Sequence, residues 1–237
     1  MISVSIIIPV YNEEKTIIKQ LELINQKKAQ LKDYIFEVII VDDNSNDKTE
    51  ILLKENKELY DKYYRNEKNF GKGYSVNVGI NNSNNDIILI QDADLEYLPE
   101  NYDNLLKPFK DYDADVVYGS RFKTTEINRV LFFFHSIANK IITFSSNIFS
   151  DLNLTDVEVG YKLFKRKLFE KINIKENSFG FEIEVTHKIS NLRKDLKIFE
   201  VGISYFGRSY AEGKKIGIKD AFWAFFCILK YGLFKIK

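Results

Sequence analysis

Along the first half of this chain, short strand-like runs alternate with segments of helical periodicity, and that alternation confines it to α/β folds with a largely parallel sheet. The runs are Val4 to Pro9, Phe36 to Val41, Lys62 to Arg65, Ile87 to Gln91 and Asp115 to Tyr118. Between them, Ile17, Leu21 and Ile24 share one helical face, and Ile51, Leu52 and Leu59 share another. Asp47, with Glu50 three positions on, reads as a capping box opening the second helix. No repeat, Gly/Ser linker or low-complexity tract interrupts the pattern, and 237 residues suffice for one large domain with a buried core. The expected organisation is a single domain over residues 1–215, followed by a C-terminal apolar helix over 216–237.

Composition removes several function classes. Lys and Arg total 35 against 34 Asp and Glu, a balance with no bulk attraction for nucleic acid. Cys227 is the only cysteine, so an intramolecular disulfide and a Cys-rich zinc site are excluded, as suits a reducing cytoplasm. Two histidines leave little for a His-based metal site. The opening segment lacks the basic start and long apolar stretch of a signal peptide, so a cytoplasmic location is expected.

In a parallel sheet, ligands gather outside the carboxyl ends of the strands. The residues following each run here are strongly polar: Pro9-Val10-Tyr11-Asn12-Glu13-Glu14, Asp42-Asp43-Asn44-Ser45, Asn69-Phe70-Gly71-Lys72-Gly73 and Asp92-Ala93-Asp94. Asp92 and Asp94 leave one strand end on the same face, because strand side chains alternate. Two such carboxylates repel unless a cation neutralises them, and their hard oxygens suit Mg2+ or Mn2+ with a diphosphate completing the shell. An isolated D-x-D can equally begin a solvated turn; four polar loops on one rim make that reading much weaker. The glycine spacing after Gly71 departs from the dinucleotide fingerprint, and no phosphate-cradling G-x-x-x-x-G-K-[ST] is present.

Taken in order, Ile7 to Glu14, Val41 to Ser45, Asn69 to Gly73 and Asp92 to Glu96 resemble the inverting family 2 glycosyltransferases of the GT-A fold. The subgroup most similar is the dolichyl- or polyprenyl-phosphate sugar synthases, and Gly119 to Phe122, Gly160 to Lys162, Gly180 to Glu182 and Arg208 to Lys214 extend the resemblance over nearly the whole chain. It implies a hexosyltransferase with a mostly parallel sheet flanked by helices. Pro9, Tyr11 and Glu13 would surround base and ribose, Asp43 would meet the base, and Asp92 would lie near ribose and metal. Asp94 would ligate Mg2+ or Mn2+ directly with Glu96 as a further ligand, and Lys72 is either a diphosphate contact or a solvated lysine. Asn44 replaces the glycine usual in that motif and is expected to alter the turn.

The later basic residues favour a polyprenyl (dolichyl or undecaprenyl) phosphate acceptor. A sugar hydroxyl needs a general base, whereas a phosphate monoester is already anionic and needs positive charge to hold it. The resemblance implies that Arg121 holds the acceptor phosphate, that Arg129 and Ser136 assist after a shift in alignment, and that Arg208 and Lys214 close on the diphosphates of a UDP- or GDP-linked donor. Arg129 is expected to open a helix running to Phe149, and His135 is left as a structural residue. Asp156 and Glu182 carry the rival reading, a carboxylate acting as base on a carbohydrate hydroxyl in surface polysaccharide, capsule or lipopolysaccharide assembly. An inactive nucleotide-sugar-binding module is the non-enzyme alternative.

Ala221-Phe222-Trp223-Ala224-Phe225-Phe226-Cys227-Ile228-Leu229, flanked by Lys219 and Lys230, is too short for the ~20 residues a membrane span requires. Its aromatics and lysines suit an interfacial helix on the cytoplasmic face of a membrane, with packing onto protein as the alternative.

Overall fold

The computed structural model describes residues 1–123, 127–208 and 218–234. Seven strands form one sheet: β1 (Ile2–Val10), β2 (Tyr34–Asp42), β3 (Lys62–Arg65), β4 (Ile87–Ile90), β5 (Val116–Ser120), β6 (Lys162–Lys165) and β7 (Ile198–Gly202). Their order is β3-β2-β1-β4-β6-β5-β7. Every neighbouring pair is parallel except those of β6, which runs antiparallel to β4 and to β5. The five strands expected from the sequence are all present; β6 and β7 are additional. Val4, Ile6, Ile7 and Ile8 of β1 are buried on both faces, the continuous apolar pattern of a strand covered by helices on either side.

The covering helices are α1 (Ile17–Gln30), α2 (Thr49–Glu55), α3 (Lys72–Asn81), α4 (Tyr102–Asp111), α5 (Phe133–Ser150), α6 (Phe181–Ser190) and α7 (Ile218–Cys227). Ile17, Leu21 and Ile24 of α1 are fully buried, as their spacing required. On α2 the expected face is corrected: Ile51 is exposed and Leu53 is the buried apolar residue. The capping box is also absent. Asp47 Oδ1 accepts the Thr49 amide two residues on, while Glu50 turns outward to Arg65 and Lys54. Both differences follow from α2 being only seven residues long, so that its orientation is set by the loop before it rather than by its own periodicity.

Two further expectations change. Arg129 does not open a helix; α5 starts at Phe133, and Arg129 lies in the preceding extended segment, where its amide donates to the Tyr205 carbonyl. The C-terminal helix continues as a wider π-type turn over Ile228–Leu233. Cys227, Ile228 and Tyr231 are buried in the common core, against α5 and α6, so deletion of this segment would remove core packing together with any surface role.

His187 of α6 is 1 % exposed and meets Ser146 Oγ at 3.2 Å. Burial lowers its imidazole to about 4. The unfolded chain therefore binds the extra proton between about pH 6.5 and 4, so stability is full above that window and falls as pH drops through it, by up to about 3 kcal/mol. Thermal melts from pH 7 to 4.5 are expected to show a shallower acid loss for His187→Gln than for the wild type.

Candidate active site

The parallel strands β1, β2, β4 and β5 end on one edge of the sheet, and their following loops surround a cavity of about 430 Å³. Antiparallel β6 begins where they end, so the residues before it, including Glu158 and Gly160, reach the same rim. Pro9, Tyr11, Glu13, Asp43, Lys72, Asp92, Asp94, Glu96, Arg121 and Arg208 all line this cavity. The sequence motifs thus converge on one cavity.

Asp43 is 3 % exposed and is occupied in building the rim. Its Oδ1 accepts hydrogen bonds from Asn66 Nδ2 at 2.7 Å and the Phe70 amide at 2.9 Å, and its Oδ2 accepts from the Gly71 amide at 2.7 Å. Gly71 has φ of 103°, and a Cβ there would stand 2.4 Å from the Asn177 carbonyl oxygen, so only glycine fits this crossing. Asn44 takes φ of 63°, a left-handed conformation that asparagine tolerates.

Asp92 and Asp94 are each held by a cation. Lys72 Nζ lies 2.8 Å from Asp92 and 3.0 Å from Glu182, which makes it a site residue and not a solvated lysine. Burial alone would lower its ammonium, but the two carboxylates outweigh that and hold it above its usual range. Gly160 gives Asp92 room, since a Cβ there would stand 2.3 Å from Asp92 Oδ2. Arg208 Nη2 lies 2.7 Å from Asp94, and its Nη1 lies 3.3 Å from Glu13. Burial and the adjacent Asp92 and Glu96 carboxylates push Asp94 up to about 7, against the lowering influence of Arg208.

Glu96, expected as a metal ligand, has protein partners here. It accepts hydrogen bonds from the Tyr205 hydroxyl at 2.6 Å, the Arg208 amide at 2.8 Å and Arg208 Nε at 3.2 Å, anchoring the segment that carries Arg208. Among the described residues, no three carboxylate, imidazole or thiol side chains are arranged to enclose a metal ion. The donor chemistry nevertheless fits a divalent cation. Seven carboxyl groups line the cavity (Glu13, Asp43, Asp92, Asp94, Glu96, Glu158 and Glu182) against three cations, Lys72, Arg121 and Arg208. A divalent cation would relieve that excess of carboxylates, and Asp94, in the loop after β4, is among those that could hold it.

Arg121 follows β5 and makes a two-pronged ion pair with Asp156, Nε to Oδ2 at 2.7 Å and Nη2 to Oδ1 at 2.7 Å. Its guanidinium also lies over the Tyr205 ring, 5.2 Å from the centroid. A second, smaller cavity of about 80 Å³ shares Arg121, Tyr205 and Arg208 with the first, and its other lining residues include Arg129, Val130, Leu131, Phe132, His135 and Asn139. Arg129 and His135 are thus brought to this neighbouring opening. Ser136 is not among the residues lining either cavity. Lys214 lies outside the described residues.

Tyr205, Phe179 and Glu158 line the main cavity and were not singled out from the sequence. Tyr205 has no motif around it; Glu158 could have been found only by knowing that β6 is antiparallel.

The profile of Glycosyl transferase family 2 matches residues 5–173. A dolichyl-phosphate beta-glucosyltransferase of Trichomonas vaginalis is 25% identical over 233 residues, covering 91% of this chain and 68% of that protein. The dolichol-phosphate mannosyltransferase of Pyrococcus furiosus is 28% identical over 220 residues; the match takes in 90% of this chain but only 60% of the relative's length. Among solved structures, glucosyl-3-phosphoglycerate synthase from Mycobacterium tuberculosis, in complex with Mn2+, uridine diphosphate and phosphoglyceric acid, superposes with a TM-score of 0.71 at 18% identity, covering 96% of this chain and 78% of the other.

Proposed function

The chain belongs to glycosyl transferase family 2, and from that premise we propose that it transfers a hexose from a UDP- or GDP-linked donor to a polyprenyl phosphate, with Mg2+ or Mn2+ as cofactor. The observation that carries the acceptor is the junction of the two cavities at Arg121 and Arg208: one side is acidic and suited to a cation-bound diphosphate, the other has arginine beside Val130, Leu131 and Phe132. Guanidinium groups beside apolar side chains match an anionic head on a hydrocarbon chain.

The carboxylates argue the same way. A hydroxyl acceptor would need a base near Arg121, yet Asp156 gives both carboxylate oxygens to Arg121, and Glu182 holds Lys72 through Oε1. Burial and neighbouring Glu182 raise the Glu158 carboxyl, with Lys162 and Arg121 opposing them, so the charged form that a base needs is disfavoured there. A phosphate monoester needs none of them.

In the proposed reaction, Tyr11 and Pro9 flank the nucleotide, Asp43 fixes the loop beneath the diphosphate, and Asp94 with Asp92 would hold the cation. When bound, that cation stabilises the charge developing on the departing diphosphate. Arg121 aims the acceptor oxygen, and Arg208, reached from Glu96 and Asp94, keeps the two phosphate-bearing substrates together and water out. The test is incubation with radiolabelled nucleotide sugars and short polyprenyl phosphates, followed by extraction into organic solvent. Label is expected in the organic phase; label found only on water-soluble glycans favours the carbohydrate-hydroxyl alternative.

Membrane docking belongs to the same proposal. None of the described helices is long and apolar enough to cross a membrane. Phe133 and Phe134 on α5 and Phe222 on α7 are each more than 70 % exposed, on two helices that touch. Such a surface supports contact with the bilayer that would hold the lipid acceptor. Changing all three to serine is expected to reduce sedimentation with anionic vesicles while Tm stays within a few degrees; undiminished sedimentation would refute it.

A further inference from the structure

We infer that Gln91 is a positioning residue: its side-chain amide ties shut the base of the loop after β4 and holds Leu95 in a strained backbone conformation, which aims Asp94 at the cation and Glu96 at Arg208. This goes beyond the transferase reading above but rests on its assignment of a cation to Asp94.

Among the described residues, those other than glycine with positive φ are Asn12, Asn44, Leu95, Asp113 and Asp151. Asn and Asp tolerate that region, whereas the Cβ of a leucine is crowded there. Leu95, at φ of 63°, lies between Asp94 and Glu96, which both meet Arg208. Across it, Asp94 Oδ1 accepts the Glu96 amide at 3.1 Å, and the Glu96 carbonyl accepts the Phe206 amide at 2.9 Å. A strained residue of this kind persists only where its surroundings over-determine the backbone.

Gln91 supplies that constraint at the base of the loop. It is fully buried, and its Nε2 donates to the Asp92 carbonyl at 2.9 Å and to the Tyr97 carbonyl at 3.0 Å, so one amide spans both ends of the loop. Its Oε1 accepts from the Tyr102 hydroxyl at 2.8 Å and lies 2.6 Å from the Tyr161 hydroxyl, which is also 2.9 Å from the Leu98 carbonyl. Carbonyls only accept, so the amide fits one way round, and glutamate or methionine of similar length cannot make the same contacts. Gln20 Nε2 adds a further bond to the Tyr97 carbonyl at 3.2 Å. The base is thus fixed from the end of β4, from α1, from α4 and from the residue before β6, while the tip carries the strain. Gln91 is not among the residues lining the cavity, so it acts through the loop.

The experiment measures UDP and GDP binding to the purified full chain by calorimetry, with Mn2+ and in EDTA, alongside Tm. Leu95→Val, whose branched Cβ resists positive φ, is expected to weaken Mn2+-supported binding of the better nucleotide by about tenfold. Leu95→Gly, free to adopt that φ, should stay within about twofold of the wild type. Binding in EDTA should be alike in all three. Gln91→Met should lose about tenfold or more of the Mn2+-supported affinity, and adding Leu95→Gly should recover part of it, which a defect of core packing would not allow. Should Gln91→Met fail to fold, the Leu95 pair decides alone. A loss in Leu95→Gly as large as that in Leu95→Val assigns the effect to the leucine side chain and overturns this inference. So does wild-type affinity in Leu95→Val or in folded Gln91→Met, or a double variant no better than Gln91→Met; each leaves the transferase reading standing. If neither nucleotide binds the wild type, or Mn2+ does not strengthen binding, this inference and the reading it rests on fall together.

Discussion

Asp94→Asn is expected to lower hexosyl transfer by about 10²- to 10³-fold without loss of fold, since removing one group that organises charge at a departing diphosphate typically has that effect. The fold should survive because the native carboxylate sits in an unfavourable place. Burial and the Asp92 and Glu96 carboxylates push Asp94 up to about 7, so a neutral amide relieves repulsion while Arg208 keeps Glu13 and Glu96 as partners. Stability should be unchanged or slightly greater. The two readouts are kcat/KM for the donor across a Mn2+ titration and Tm without metal. The variant should also lose most of the Mn2+ dependence of nucleoside diphosphate binding. Transfer at the wild-type rate would remove Asp94 from the proposed mechanism.

The second large effect is expected at Arg121, where stability and acceptor binding must be separated. Asp156 is fully buried, and Arg121 supplies two of its hydrogen bonds through side-chain nitrogens and a third through its amide at 3.1 Å. Arg121→Ala strips the side-chain bonds and leaves a buried carboxylate with Asn139 Nδ2 at 3.2 Å as its remaining side-chain partner, at a cost of about 3–5 kcal/mol. Lost activity in that variant alone would be ambiguous. Adding Asp156→Asn removes the stranded charge and should recover much of the stability, as coupled partners do. It should not recover transfer, because nothing then faces the acceptor phosphate from the end of β5. Chemical denaturation of the single and double variants, with transfer to polyprenyl phosphate measured on the double variant, decides the matter. A stable double variant that still transfers at the wild-type rate would place the acceptor elsewhere.

Both residues were visible in the sequence, Arg121 directly after a strand and Asp94 in the loop that follows one, and so were Tyr11, Asp43 and Lys72. Their visibility has a physical cause. Parallel strands bury both faces and read as continuous apolar runs, so the point where polarity returns marks the rim. Asn44 shows the limit of reading residue types alone: its departure from glycine suggested another turn, and only the backbone shows that it takes a left-handed conformation. Glu96 shows a different limit. Its place in the motif suggests a metal ligand, and nothing in the local sequence shows that its oxygens also hold Tyr205 and Arg208, more than a hundred positions away.

The sequence by itself determined the parallel half of the sheet, the family, and the loops that gather at one edge, because these depend on local periodicity and on residues close together in the chain. The tertiary structure alone decided that β6 runs backward between β4 and β5, since strand direction depends on pairing and not on the strand's own four residues. That reversal brings Glu158 to the rim by its amino end and sets it beside Glu182. It also let Asp92 and Asp94 be matched with Lys72 and Arg208, contacts between distant segments that only packing creates.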